Sequence, residues 1–299
     1  MIQIIKYKYV YLIFSAILLI PGIISLGVNG LNLSIDFTGG SLFKYQFSGE
    51  VNKEDLKNEF EKLGIKVETI TKEEGNKYSI RTKQVDTEIN NDLRKVLASK
   101  FEGAQQLSFE TVGPAVGAET TNKAFVALVW VSIGILLYIA YAFRNVPKPY
   151  SSFRFGVSAI VSMLHDAFMV TGIFSILGYF FKTEVDSLFI TAVLTVISFS
   201  VHDTIVVFDR IRENLNKLPR SYSFEETVNY SIVETLGRSV ATSLTVVITL
   251  FSLYLLGGSS IKTFVLCMLI GIVSGTYSSI FTAAPVLVIW ENKARSKKK

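Results

Sequence analysis

Six apolar runs set the terms for this chain. They fall at about residues 9–28, 124–143, 155–181, 187–208, 239–256 and 264–290. A bilayer core about 30 Å thick needs about 20 apolar residues per spanning helix. Each unpaired backbone group in hydrocarbon costs several kcal/mol, so such runs fold as helices. Composition agrees, with 49% hydrophobic and 18% charged residues, against about 25% charged in soluble domains. The expected class is a helical membrane protein with six transmembrane helices.

Between Leu31 and Lys123 stand 13 Lys/Arg and 15 Asp/Glu, leaving 17 and 10 elsewhere. The excess positive charge therefore lies outside the largest polar segment, which argues against nucleic acid as a partner. The short loops divide sharply. Lys6, Lys8, Arg144, Lys148, Arg154, Arg210, Arg212, Lys217, Arg220, Arg238, Lys293, Arg295 and Lys297–Lys299 collect on one side, and Lys182 and Lys262 on the other. The positive-inside rule places the first set, and both termini, in the cytoplasm. The first run is read as an uncleaved anchor, because it lacks an A-x-A-like cleavage site. The basic tail 293–299 has two readings, topology anchor and contact with anionic membrane lipid.

Three domains are expected: 1–30, the N-terminus and first helix; 31–121, an external domain; and 122–299, five further helices with a basic tail. In the second, residues 41–47, 66–71, 77–82 and 106–112 alternate like strands. Residues 52–63 and 87–101 carry helical stripes, Leu56, Phe60 and Leu63 in one and Ile89, Leu93, Val96 and Leu97 in the other. The order βαββαβ predicts an inserted α+β ferredoxin-like domain. Two glycine-bearing motifs flank it, Asp36-Phe37-Thr38-Gly39-Gly40 and Gly113-Pro114-Ala115-Val116-Gly117-Ala118-Glu119. They read as rigid connectors, and neither has the spacing of a phosphate-binding loop.

Charge inside a span is costly and marks function by default. The third run carries His165-Asp166, the fourth His202-Asp203, and Arg238 opens the fifth. A dense charged cluster follows Asp203, made of Asp209, Arg210, Arg212 and Glu213, with Asn214 directly after it. By position Arg238 reads equally as an anchor whose side chain snorkels to the headgroups and as the partner of Asp203 in a proton-responsive site. Burial and a guanidinium act on a carboxyl in opposite directions, and arginine keeps its charge. A metal reading of the two His-Asp pairs is weak, since adjacent helical residues diverge by about 100°. The expectation is no metal, no cofactor beyond protons as coupling ion, and no enzyme activity. The single cysteine, Cys267, permits no internal disulfide.

Asp36–Gly40, the 112–119 motif, Leu164-His165-Asp166, the run from Asp203 to Asn214 and Leu236-Gly237-Arg238-Ser239 together resemble the SecF branch of the SecD/SecF protein-export family. The resemblance covers nearly the whole chain. It belongs with the resistance-nodulation-division superfamily of proton-driven transporters. The resemblance implies that the chain works with SecD beside the SecY–SecE–SecG channel. There it would use the proton-motive force to help a secreted polypeptide leave at the outer side of the bacterial inner membrane. ATP would belong to the SecA motor. It assigns the proton relay to Asp203 and Arg238, and leaves the glycine motifs as signatures. Two departures stand out: Ser200-Val201-His202-Asp203 where the family commonly has Asn before the Asp, and Ser198-Phe199 in place of Gly-Tyr. The alternative is a stand-alone proton-coupled transporter exporting a small molecule or metal. An external enzyme would need a convergent polar site, and residues 31–121 hold no His or Cys.

Overall fold

The computed structural model describes residues 2–73, 75–219 and 221–296. Arg220 and Lys297–Lys299, used above for orientation, lie outside the described residues, as does the end of the proposed lipid-contacting tail. The chain divides into two compact units, Leu33–Val126 and a membrane unit of Met1–Asn32 with Ala127–Lys299.

The smaller unit holds a one-turn helix α2 (Ile35–Thr38), helices α3 (Lys53–Lys62) and α4 (Thr87–Lys100), and strands β1 (Gly40–Gln46), β2 (Val67–Glu73), β3 (Lys77–Thr82) and β4 (Gln105–Val112). The sheet order is β2-β3-β1-β4, and every pairing is antiparallel. That is the ferredoxin-like arrangement. Alternation along β1 buries Phe43 and Tyr45 against Leu56, Phe60, Leu93 and Leu97 of the two helices. Phe43 meets Phe60 edge-on at 5.3 Å, a geometry favoured by the ring quadrupoles. Asn52 caps α3, its side chain accepting from the Glu54 N–H at 2.9 Å. The α4 stripe needs one correction. Ile89 is exposed and Asn90 is buried in its place, because Gln106 of β4 donates to the Asn90 carbonyl at 2.8 Å and satisfies it there.

Among the described residues, six helices are long and apolar enough to cross a membrane: α1 (Lys8–Asn29) with the turn before it, α5 (Pro114–Ala142), α6 (Ser152–Phe181), α7 (Ser187–Lys217), α8 (Phe224–Leu256), and α9 (Lys262–Ser278) running through a π-helical turn, Ser279–Ala283, into α10 (Ala284–Ser296). The chain is therefore a multi-pass membrane protein. Several helices outrun their apolar stretches. α5 starts ten residues before the run at 124, α7 continues past Phe208, and α8 begins at Phe224. Hydropathy reports only the hydrocarbon crossing, and the helix continues where polar side chains support it. At α8 that support is a capping box between Ser223 and Glu226.

α6, α7 and the last helix are the most buried spans. Phe143, Phe155 and Phe208 join α5, α6 and α7 through ring contacts of 5.5–6.0 Å. Asn229 of α8 holds the chain start. Its Oδ1 accepts from the Ile4 and Ile5 N–H groups at 2.7 and 3.1 Å, and its Nδ2 donates to the Ile2 carbonyl at 2.9 Å. α1 approaches α6 closely at Gly22 and Gly172. A Cβ on Gly172 would lie 2.7 Å from the Gly22 Cα.

Two predictions follow from this packing. Gly172→Val separates α1 from α6 and lowers stability by about 1–3 kcal/mol, read as earlier thermal unfolding of the detergent-purified chain. In the smaller unit, Lys100 and Lys62 both bond the Glu59 carboxylate at 2.7 Å, which holds its pKa below the usual Glu range. That stabilisation exists above the unfolded-state pKa and is lost as pH falls through the lowered one. Hydrogen exchange of α3 and α4 amides in the full chain is expected to quicken on acidification, and to do so less in Glu59→Gln.

Candidate functional site

The two glycine motifs do more than connect. Gly39 takes φ +72°, and a Cβ there would meet the Pro114 Cα at 2.9 Å. A Cβ on Gly117 would lie 2.8 Å from the Gly39 nitrogen and 3.0 Å from the Phe37 carbonyl oxygen. The motifs therefore pack backbone to backbone. Pro114 is the first residue of α5, where its missing N–H costs nothing. Thr121 adds a bond to the Phe37 carbonyl at 3.3 Å. Asp36 sits in α2, whose cap Ser34 accepts its N–H. Gly40 opens β1, Gly113 directly precedes α5, and Glu119 is exposed and paired with Lys123 at 2.7 Å. Spacing alone could not show that two stretches over 70 residues apart depend on each other's lack of a side chain.

The cluster after Asp203 ties helix ends together. Arg210 of α7 binds Glu213 at 2.5 Å and reaches Glu234 of α8 through two nitrogens, one at 2.6 Å. Asn214 donates to Ser231 and to Glu234, both at 3.0 Å. Arg212 pairs with Asp209 at 2.5 Å and donates to the Ala142 carbonyl at 3.3 Å, covering the α5 C-terminus. Beside this network lies a cavity of about 400 Å³ lined by Val206, Asp209, Arg210, Glu213, Glu234, Thr235 and Arg238.

Asp203 is buried, with 7% of its surface exposed. The expected partner does not reach it. Ser239 of α8 donates to Asp203 Oδ1 at 2.9 Å, and Oδ2 is buried without a hydrogen bond. Arg238 is exposed and lines the cavity instead. The reason is helical phase: neighbours on a helix diverge by about 100°, so turning Ser239 toward α7 turns Arg238 aside. His202 is likewise exposed. It follows Val201 and precedes Asp203, both buried.

The most densely bonded carboxylate is Asp166, with none of its surface exposed. Ser200 of α7 and Ser278 of α9 donate to its Oδ2, each at 2.5 Å, and Ser274 of α9 donates to Oδ1 at 2.7 Å. His165 places Nδ1 3.0 Å from Oδ1. Residue order did not reveal these serines, because they come from two other helices. The two His-Asp pairs do not converge. Among the described residues no group of three or more His, Cys, Asp or Glu is placed to hold a metal.

The Arg210–Glu234 contact should be energetically coupled. A double-mutant cycle with Arg210→Met and Glu234→Gln is expected to give about 0.5–3 kcal/mol, measured from thermal unfolding of the purified chain.

The family described as "Protein export membrane protein SecD/SecF, C-terminal" matches residues 92–293, and the "SecD/SecF GG Motif" matches residues 24–51. The protein translocase subunit SecF of Thermobaculum terrenum is 48% identical, covering 98% of this chain and 95% of that protein. The protein translocase subunit SecDF of Bacillus subtilis is 36% identical over 98% of this chain but only 38% of its own length. The crystal structure of SecDF, a translocon-associated membrane protein from Thermus thermophilus, superposes with a TM-score of 0.83 at 34% identity, covering 97% of this chain and 39% of that one.

Proposed function

The chain belongs to the SecD/SecF family of protein-export membrane proteins, and from that premise we propose how it works. It is an accessory subunit of Sec protein translocation. With SecD it uses the proton-motive force to promote the late stage of export, when a secreted polypeptide leaves the SecY–SecE–SecG channel that SecA feeds. It needs no cofactor other than the coupling proton and performs no enzyme chemistry. Both termini are cytoplasmic, and the ferredoxin-like domain is on the outer face of the bacterial inner membrane.

One observation carries the proton coupling: the buried Asp203 carboxyl, whose Oδ2 has no partner. A buried carboxyl with an open oxygen is poised to gain a proton. The surrounding surface supports a partner. On α7, Ser187, Thr191, Thr195, Ser198 and His202 are exposed in helical register. On α8, Arg238, Thr242, Thr245, Thr249 and Ser252 are exposed in the same way. The exposed faces of α1 and α5 are apolar, from Ile13 and Ile17 to Trp130 and Leu137. Most stripe hydroxyls bond their own helix, such as Thr195 to the Thr191 carbonyl at 2.8 Å. Arg238 and His202 do not, and lipid tails are a poor neighbour for either. A second membrane half meets that need. The fused relatives, of which this chain spans about two fifths, make SecD the natural candidate.

Closure by SecD would bring Arg238 and Asp203 under one cover, so that protonation of Asp203 changes how the two halves fit. One proton crossing 100 mV supplies about 2.3 kcal/mol, a useful bias for such a step. The test is reconstitution with SecD in vesicles under an imposed proton gradient. Asp203→Asn is expected to assemble with SecD yet lose the gradient-dependent part of export. Full retention of that part by an assembled mutant rules the relay role out.

A further inference from the structure

We propose that Asp166 and His165 form a second proton-binding site, enclosed within this six-helix unit and separate from the face that carries Asp203, His202 and Arg238. The inference takes its purpose from the proton-coupled reading above, while the site itself is tested without any gradient.

One hydrogen lies between His165 Nδ1 and Asp166 Oδ1, which are 3.0 Å apart. It belongs to the imidazole or to the acid, and in either case Nε2 is left buried without a hydrogen bond. His165 itself is 94% buried, with 6% of its surface exposed. A structural histidine at this depth normally satisfies both nitrogens. Here one ring nitrogen is held by a carboxylate and the other is open to take or give up a proton.

The second oxygen of Asp166 is built for two states. Ser278 donates to Oδ2 at 2.5 Å, but its hydroxyl also lies 3.2 Å from the Gly275 carbonyl of its own helix. While Asp166 is charged, the Ser278 hydrogen belongs to Oδ2. When a proton from water binds Oδ2, the new acid O–H needs an acceptor. Ser278 then turns its hydrogen to Gly275 and accepts the acid proton through its oxygen. One O–H bond of a hydronium ion breaks and leaves water, one O–H bond forms on Asp166, the carboxylate becomes a neutral acid, and no other covalent bond changes. Ser162 already donates to Ser278 at 3.0 Å, and a hydroxyl oxygen accepts twice. Both states are thus hydrogen-bonded at Oδ2, so neither leaves an orphaned group in the core.

The response has somewhere to go. Ser278 ends α9, and the π-helical turn starts at the next residue, Ser279. Such turns are frequent at functional sites. Ser279 donates to the same Gly275 carbonyl at 2.7 Å and accepts from Thr204, the neighbour of Asp203, at 3.1 Å. Reorientation at Ser278 is therefore felt one residue from a contact that leads to the first proton site.

Other titratable groups are out of contact. α7 and α9 present only hydroxyls to Asp166. Asp203 of α7 bonds Ser239, and Tyr277 of α9 donates to the Tyr11 carbonyl at 3.0 Å. α1 carries no charged residue after Lys8. Beyond the π turn the first charged residue is Glu291, paired with Arg154 at 3.0 Å.

The experiment is a pH titration of the purified full chain in lipid nanodiscs, followed by infrared difference spectroscopy of the carboxylic acid C=O stretch. The expected result is a pH-dependent band present in wild type and in Asp203→Asn, and lost in Asp166→Asn. Ser278→Ala and His165→Gln keep the acid and shift the titration midpoint, so the site remains testable if Asp166→Asn does not fold. A band of wild-type amplitude in Asp166→Asn, or an unchanged midpoint in both Ser278→Ala and His165→Gln, overturns the proposal. Loss of gradient-dependent export is a separate measurement on the SecD complex, so failure of coupling and failure of this site are told apart.

Discussion

A carboxylate buried in a membrane protein needs donors, and the membrane unit is arranged to bring them to Asp166. Three serine hydroxyls from α7 and α9 converge on one side chain of α6. Hydrogen bonds to a charged acceptor contribute more than neutral ones, about 1.5–3 kcal/mol each against about 1, and removing donors would strand the acid. The three most buried spans are therefore held in one mutual phase. The surrounding small residues fit the same requirement. Gly275 and Gly271 let α9 approach Ser200 and Val196 of α7 closely, which brings the serines within reach.

The other elements take their places around that centre. The N-terminal helix packs on α6 through paired glycines, and the polar extension of α7 is tied to α8 through Arg210, Asn214 and Glu234. α7 and α8 leave polar edges on the exposed side, whereas α1 and α5 present apolar ones.

How much of this was legible beforehand depends on the range of the interaction. The spans follow from length and composition, since hydrocarbon forbids the alternatives. The βαββαβ order follows from local periodicity, and Asn52 announced its own cap. Ile89 misled because its stripe position ignored a polar pair, Asn90 with Gln106, that outcompeted it. Arg238 misled for a different reason. A motif names the residue but not its phase, and a step of one residue gives the place beside Asp203 to Ser239. The Asp166 serines were hidden by distance: they lie 34, 108 and 112 residues away along the chain. Isolated serines in apolar helices usually bond their own backbone, as Ser198 and Ser252 do, so nothing local set these three apart.

The clamp at Asn229 carries a consequence for biosynthesis. It grips the backbone at Ile4 from 225 residues further along. At roughly 5–20 residues per second, the ribosome needs on the order of 10–45 s to reach Asn229 after the first residues emerge. Throughout that interval the first helix is inserted but its start is unclasped, and the Gly22 seat on α6 is also unfilled until Gly172 has been made. The start of α1 thus reaches its final contacts long after α1 itself has been made. Closure of the clamp is timed by the arrival of α8, while α9, which carries two of the Asp166 serines, and α10 are still to be made.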